Sequence, residues 1–370
     1  MNLLSKFFSL FSHDIGIDLG TANTLVWVKG KGIVVREPSV VARHKKTKQI
    51  IAIGSEAKKM LGKTPASIET VRPLRGGVIA DFDATCAMIA HYINEVHSTS
   101  PSFSRAFIHP KVAIGIPSAV TEVQRRAVWE AALSAGAREA YLIEEPMAAA
   151  IGAGVSVFQP TGLLVVDVGG GTTEIAVISL GGIVVNRSLK IAGDDMDEAI
   201  LHYVRLRHGL LLGEKTAEDI KIKIGSAYET KTKKHRAEEA VKKTQEQQDD
   251  QDKMAIVRGR DIESGLPKSL RLTEVEVREA LAPVLAQIIE GVVEVIEEAP
   301  PELTSDILEH GILLTGGGSL LPGFDKLIVE RTKIPVIVAE DPLTTVVRGT
   351  GKVLEDEQLL ARVKVTGGLK

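Results

Sequence analysis

Cysteine is almost absent from this chain of 370 residues, in which Cys86 is the single example. An intrachain disulfide is therefore impossible, and this composition fits a reducing compartment. Neither sign of charge is in large excess, since the formal net charge is −3. The near balance gives no electrostatic reason to expect nucleic acid as a partner.

Metal-ligand spacing is also missing from the sequence. His91 and His97 are six residues apart, rather than the four of a helical zinc pair, and no Cys-x-x-Cys occurs. The sequence has no apolar run of transmembrane length and no secretory signal. The chain does have the length for about two domains, each with a sizeable core.

Glycine-rich turns, by contrast, stand out because one pattern occurs twice. An apolar strand that ends in an aspartate leads into a glycine-rich turn at 18–24 and again at 167–173. A β-rich run follows each turn, and each copy closes with Gly-Ile-Val-Val, at 32–35 and 182–185. We interpret this pattern as an internal duplication of strand, turn, strand, turn and strand.

The two turns together predict a nucleotide site. Glycine-rich turns present backbone N–H groups to an anion, and two facing turns would hold a polyphosphate from both sides. Asp18 and Asp167, at the mouths of the turns, would position Mg²⁺ through its water shell. For either turn alone, an ordinary β-hairpin with a capping aspartate is the favoured alternative. The matched pair favours the nucleotide.

Two further segments point to the same chemistry. Gly311 to Ser319 follows a predicted strand and precedes a helix, an order typical of phosphate or nucleoside binding, although Gly-Gly-Gly alone is as often a tight turn. Glu145 precedes Pro146 at the start of a helix of small residues. Its carboxylate is either a helix-end charge or a group that orients water beside the phosphates.

The first twelve residues carry three of the eight phenylalanines. On a helical wheel their apolar side chains fall within roughly 160°, which predicts an interfacial amphipathic helix too short to span a bilayer. A helix docked on the protein's own core is the alternative. Phe103 and Phe107 lie in a predicted loop and either turn inward or form a second apolar tip. The residues predicted to contact lipid are Leu3, Leu4, Phe7, Phe8, Leu10, Phe11 and Phe103.

The second half of the chain contains a strongly polar stretch from Glu229 to Lys253. Because it mixes both signs of charge and has almost no large apolar residue, it predicts a solvated insertion. It is preceded by predicted helices that run from Gly193 to Leu212 and from Thr216 onward. A long amphipathic helix is predicted after it, from Thr273 to Glu298.

Several runs of this sequence resemble those of the actin and sugar-kinase superfamily, and more closely those of its bacterial actins. The resemblance extends from Asp14 to about Lys352. The runs that carry the resemblance are 17–25, 36–41, 77–81, 143–153, 169–174, 224–228 and 314–318. The resemblance implies an α/β fold with two actin-like (ribonuclease H-like) α/β domains flanking a nucleotide cleft, each with a large and a small subdomain.

The implied domain boundaries follow from the same resemblance. Domain I spans 14–157 with its small subdomain at about 37–72, and domain II spans 158–352 with its small subdomain at about 192–272. The membrane-binding helix at 1–13 precedes them and a tail at 353–370 follows. The polar insertion and Lys223 depart from the family pattern.

The resemblance also implies roles for individual residues. Glu145 would orient the attacking water with the help of Thr172, and Asp18 with Asp167 would position Mg²⁺, through water. The residues implied to bind ATP are Gly20, Thr21, Ala22, Asn23, Gly169, Gly170, Gly171, Thr172, Glu218, Asp219, Ile220, Lys221, Gly316, Gly317, Gly318 and Ser319.

The implied function is that of a cytoskeletal protein with slow ATPase activity. Family members form ATP-dependent antiparallel double filaments on the cytoplasmic face of the inner membrane. There they guide peptidoglycan synthesis and rod shape with membrane proteins of the cell-elongation machinery. The alternative is a non-polymerising ATPase of the superfamily. A chaperone would need room for a peptide-binding domain after residue 370, and a sugar kinase would need a substrate pocket between the domains.

Overall fold

The computed structural model describes residues 13–97, 109–228 and 253–365. The predicted amphipathic helix, Phe103 with its loop, and the polar insertion up to residue 252 lie outside these ranges. Within them, no helix has both the length and the apolar character needed to cross a membrane.

The first glycine-rich repeat belongs to a five-stranded sheet with the order β10-β9-β1-β2-β3. Its strands are β1 (Ile15–Leu19), β2 (Asn23–Val28), β3 (Gly32–Pro38), β9 (Lys111–Ile116) and β10 (Glu139–Glu144). The tight turns make β1, β2 and β3 antiparallel, whereas β9 and β10 run parallel to β1. The carboxyl ends of β1, β9 and β10 therefore meet at one edge of the sheet.

The second repeat builds a matching sheet with the order β13-β12-β11-β17-β18. Its strands are β11 (Leu163–Val168), β12 (Thr173–Ser179), β13 (Gly182–Leu189), β17 (Ile312–Thr315) and β18 (Val336–Val338). Again the first three strands are antiparallel and the other two run parallel to the first. Both copies contain a register irregularity in the second hairpin. The predicted duplication is thus confirmed as strand, turn, strand, turn and strand.

Three small sheets complete the β-structure. Their strands are β4 (Val41–His44), β5 (Ile50–Ile53) and β6 (Ile68–Val71), then β7 (Leu74–Arg75) and β8 (Val78–Ile79), and finally β14 (Leu210–Leu211), β15 (Met254–Asp261) and β16 (Pro267–Thr273). Strands β15 and β16, which follow the polar stretch, pair with each other in antiparallel orientation.

Helices of the described residues cover the sheets. They are α1 (Ser55–Met60), α2 (Phe82–Val96), α3 (Glu122–Ser134), α4 (Glu145–Ala153), α5 (Gly193–His208), α6 (Glu214–Ile224), α7 (Glu274–Glu298), α8 (Pro301–His310), α9 (Phe324–Thr332), α10 (Thr345–Glu355) and α11 (Glu357–Val363). The prediction that one helix runs from 193 to 212 is wrong. Gly209 adopts a left-handed conformation with φ of 63° and ends α5, and β14 follows.

The apolar interior falls into three main cores. One lies on the first sheet under α2 and α3, and a second lies on the other sheet under α5, α7 and α9. The third joins the sheets, because it contains Ala113 and Ile143 from the first and Val165 and Ala176 from the second. Helices α4 and α10 supply much of the rest of this joining core.

The contact between α4 and α10 is unusually close. A β-carbon at Gly152 in α4 would overlap the carbonyl oxygen of Thr345, and one at Gly349 in α10 would overlap that of Ala148. Lys352 Nζ then donates to the Ile151 carbonyl oxygen at 2.9 Å. This contact holds α10 on the helix that begins with Glu145. No helix was predicted over residues 345–355 from the sequence.

Substituting Gly152 tests this contact. We expect Gly152→Ala to lower the free energy of unfolding by at least about 2 kcal/mol, because the added methyl group has no space and the opposing atom is backbone. Gly213→Ala is the matched control, since a β-carbon there meets open space and should cost less than about 1 kcal/mol. Urea unfolding provides the measurement. Equal losses for the two variants would contradict the close contact.

Candidate functional site

A cavity of about 410 Å³ opens between the two large sheets, at the edge where their parallel strands end. Both predicted phosphate turns line it, from Gly20 to Asn23 and from Gly169 to Thr172. Gly316 to Gly318 line it as well. The structure therefore brings three glycine-rich segments, distant in sequence, around one space.

The two turns contact each other directly at the base of the cavity. A β-carbon at Gly171 would lie 2.6 Å from Thr21 Oγ1. Thr21 Oγ1 also accepts a hydrogen bond from the Gly77 N–H at 3.1 Å. Within the second turn, the Gly169 N–H donates to the Thr172 carbonyl oxygen at 2.8 Å. The first of these bonds ties the Thr21 side chain to Gly77, and the second closes the backbone of the second turn.

The third glycine-rich segment lies beside the second turn. Strand β17 leads into Gly316, whose β-carbon position is blocked by the Asp167 carboxylate and the Val168 carbonyl, and a 3-10 turn follows at Gly317–Leu320. Ser319 is buried, donates to the Gly316 carbonyl oxygen at 2.6 Å and does not line the cavity. It stabilises the turn from behind.

Helix α6 brings only part of its predicted residues to the cavity. Glu218 and Lys221 line it, as expected for residues three apart on one helix face. Asp219 is exposed to solvent and Ile220 packs in the core of the second sheet. Neither lines the cavity, because consecutive helix positions point in different directions.

Acidic side chains occupy the floor of the cavity. Asp18 lies near the end of β1, Asp167 lies near the end of β11, and Glu145 is the first residue of α4. Burial raises the pKa of Asp18 to about 7. Burial, together with the charges of Asp18 and Glu174, raises the pKa of Asp167 to about 8. All three side chains line the cavity, where Asp167 is buried and Asp18 and Glu145 are half-buried.

Glu145 has the same character. Burial raises its pKa well above the ordinary value, and the neighbouring charges of Glu174, Asp18 and Asp167 raise it further, in that order. Glu174 is itself 1% exposed and lies behind the cavity wall rather than on it. Burial thus raises the pKa of all four carboxylates, and neighbouring carboxylates raise the pKa of Glu145 and Asp167 further.

Comparison with known proteins identifies the family of this chain. The family model described as MreB/Mbl protein matches residues 12–362. The chain is 51% identical to the cell shape-determining protein MreB of Escherichia coli strain K12 over 357 residues, which are 95% of this chain and 96% of that protein. It is 45% identical to the cell shape-determining protein Mbl of Bacillus subtilis strain 168, over 96% of this chain and 100% of that protein.

The chain belongs to the MreB/Mbl family. MreB5 of Spiroplasma citri, solved bound to ADP, is 37% identical and superposes with a TM-score of 0.83, over 95% of this chain and 98% of that one. The same protein bound to AMPPNP gives the same TM-score at 36% identity. The MamK double helical filament, with a TM-score of 0.73 at 21% identity over 93% and 99% of the two chains, shares the actin-like fold.

Sequence reasoning missed several residues that line the cavity of this MreB/Mbl family member. Asp194 and Asp197, one helical turn apart at the start of α5, both line it, and Asp197 Oδ1 lies 2.9 Å from Lys221 Nζ. Gly77 and Leu343 also line it. The charged start of α5 was visible in the sequence, but only the packing of α5 against the second turn shows that it faces the cavity.

Ion pairs close the cavity on the side of the small sheets. Lys58 Nζ in α1 lies 2.7 Å from Glu218 Oε2 in α6. Arg72 contacts Asp194 at 3.2 Å and Glu214 at 3.4 Å. Each pair joins a residue near the small sheet of β4, β5 and β6, in the half of the molecule that contains the first large sheet, to a residue in the half that contains the second large sheet. Glu218 therefore already has a protein partner in this structure.

The residues on the cavity floor fit a nucleotide with Mg²⁺. In the part of the chain that the structure describes, no three acidic, histidine or cysteine side chains converge closely enough to hold a metal ion alone. Asp18 and Asp167 offer hard oxygen donors. Among the described residues, no cation lowers the raised pKa of either carboxyl. Such a pair suits Mg²⁺ that keeps its waters and binds phosphate oxygens.

The raised pKa values predict a pH dependence of stability in nucleotide-free, magnesium-free protein. An unfolded aspartate has a pKa of about 3.9, so the native state binds more protons than the unfolded state between about pH 4 and pH 8. The stabilisation is complete below this range and is lost as the pH rises through it. We expect the Tm to fall from pH 6 to pH 8.5.

Asp167→Asn should flatten this dependence and raise the Tm at pH 8.5 by at least about 2 °C relative to the unsubstituted protein. Asp219→Asn is the control, because Asp219 is exposed and does not line the cavity. Thermal unfolding followed by circular dichroism gives the Tm. An equal pH dependence in Asp167→Asn and unsubstituted protein would show that Asp167 does not titrate in this range.

Proposed function

We propose that this protein binds ATP with Mg²⁺ in the cavity between its two halves and hydrolyses it slowly. The observation that carries the proposal is the convergence of three glycine-rich segments around one cavity, with Asp18, Glu145 and Asp167 on its floor. Binding of ADP and of AMPPNP by the related MreB5 supports an adenine nucleotide. Backbone N–H groups of the two turns would bind the phosphates from opposite sides.

Hydrolysis would proceed by in-line attack of water on the γ-phosphorus, with cleavage of the bond to ADP. Glu145, on the cavity floor, accepts hydrogen bonds from that water and orients it, with Thr172 assisting from the second turn. Mg²⁺ held beside Asp18 and Asp167 would neutralise phosphate charge. Glu218 and Lys221 would face the base and ribose.

The cellular role that we propose is that of a membrane-associated bacterial actin. Its cell shape-determining relatives MreB and Mbl support a role in rod shape and peptidoglycan synthesis. The filament formed by MamK, which has the same fold, is compatible with self-association into filaments, here antiparallel pairs. Residues 1–12 and Phe103 would attach the filament to the cytoplasmic face of the inner membrane, beside proteins of the elongation machinery.

Glu145→Ala tests the role of the carboxylate. We expect ATP affinity within about 3-fold of the unsubstituted protein and a loss of about 100-fold in hydrolysis rate, because the variant keeps the phosphate turns but loses the group that orients water. Phosphate release measures hydrolysis, and a fluorescent ATP analogue measures affinity. Glu330→Ala, on the exposed face of α9, is the control. Unchanged hydrolysis in Glu145→Ala would exclude this role.

Filament formation on lipid tests the cellular role. We expect electron microscopy to show paired filaments lying on anionic lipid vesicles when Mg-ATP is present and none without nucleotide. Replacing Phe7 and Phe8 by Ser should leave filaments in solution but remove them from vesicles, because the apolar face of the predicted helix is lost.

Two results would contradict the filament proposal. Binding of ATP with no filaments at any protein concentration would favour a non-polymerising ATPase of the same superfamily. Phosphorylation of a small molecule by monomeric protein would favour a kinase. Unchanged vesicle binding in the Phe7 and Phe8 variant would overturn the membrane role of residues 1–12.

A further inference from the structure

Glu174 is a buried carboxylate that the proposed mechanism does not use. It lies on β12, two residues after Thr172 of the second phosphate turn, and is 1% exposed. Burying a charge without a cationic partner costs free energy, and a neutral side chain of similar shape would usually fold as well or better. A carboxylate at this depth, next to a candidate active site, points to a role other than folding.

The hydrogen bonds of Glu174 connect the two halves of the molecule. Oε1 accepts a bond from the Ser188 hydroxyl at 2.5 Å, and Ser188 lies opposite Glu174 on the neighbouring strand of the same sheet. Oε2 accepts two bonds from Ser118, from its N–H at 3.0 Å and its hydroxyl at 2.7 Å. Ser118 belongs to the other half, two residues beyond β9. The side chain is thus anchored in one half and bound to the other.

Ser118 and Glu145 leave the first sheet side by side. Strands β9 and β10 are parallel neighbours, and Ile116 pairs with Glu144 at their carboxyl ends. Glu145 directly follows Glu144, the last residue of β10. Ser118 follows Ile116, the last residue of β9, by two positions. The group that Ser118 binds must therefore lie close to Glu145. In agreement, Glu174 is the neighbouring charge that acts most strongly on Glu145.

We propose that Glu174 is a positioning residue that couples the approach of the two halves to the orientation of Glu145. With the halves together, the two donors of Ser118 and the hydroxyl of Ser188 hold the Glu174 carboxylate at a defined distance from Glu145. Glu145 then faces the cavity. When the halves separate, Ser118 withdraws, and the charge beside Glu145 loses its fixed place. The inference rests on the proposed role of Glu145 in orienting water.

Glu174→Gln is the central variant, because the amide can still accept from Ser118 and donate to Ser188 while the charge is removed. We expect the rate of ATP hydrolysis to fall at least about 10-fold with ATP affinity within about 2-fold. Ser118→Ala should reduce the rate in the same direction and by less, since the backbone donor remains. Ser305→Ala, which removes an exposed hydroxyl on α8, is the control.

A double-mutant cycle separates positioning from a general structural effect. If Glu174 acts through Glu145, Glu174→Gln should change the residual rate of a Glu145→Ala protein by less than about 2-fold. The same 10-fold loss in both backgrounds would overturn the proposal. So would a wild-type rate in Glu174→Gln whose Tm is unchanged.

Hydrogen exchange gives a measurement that does not depend on hydrolysis. The backbone amide of Ser118 is protected by its bond to Glu174, so Glu174→Ala should accelerate its exchange at least about 10-fold. Unchanged exchange would overturn the bridge between the halves. If the unsubstituted protein hydrolyses no ATP, the proposed function fails, whereas the exchange result still decides whether the bridge exists.

Discussion

Burial of carboxylates beside the cavity is the constraint on which the cleft depends. Asp18, Glu145, Asp167 and Glu174 are placed together by strand ends and a helix start, and burial strengthens their interaction. Protons, hydrogen bonds or a bound cation must offset this charge. Burial raises the pKa of Asp18 to about 7 and that of Asp167 to about 8, so these carboxyls bind protons more readily than exposed aspartates do. Occupancy of the cleft and stability of the fold are therefore linked.

The joining core determines how the halves can move. Helix α4 carries Glu145 at one end and packs its small residues against α10 along its length. Because backbone atoms are in contact at Gly152, this pair of helices has little freedom to separate. Both sheets pack against the same pair. Helices α4 and α10 therefore form a tightly packed connection between the two sheets.

Local features were predictable from the sequence, and long-range ones were not. The duplicated turns, the aspartates beside them and the helix start at Glu145 all follow from glycine spacing and capping chemistry, and the structure brings them together. Asp219 and Ile220 failed to reach the cavity because a consecutive run ignores the helical period. Helix α10 was not predicted because glycine has a low helix propensity. Its glycines are explained only by the close contact with α4, which the sequence does not show. Asp197 gained its place only through packing of α5.

The ion pairs above the cavity have a consequence for ligand exchange. Lys58 with Glu218, and Arg72 with Asp194, are partly solvent-exposed, and pairs of this kind contribute only about 0–1 kcal/mol each. The floor, by contrast, is fixed by backbone hydrogen bonds and apolar packing. We therefore expect thermal fluctuation to open the cavity first on the side of these ion pairs. Salt should favour that opening because it screens the charges. We therefore expect ionic strength to affect how long a ligand stays in the cavity.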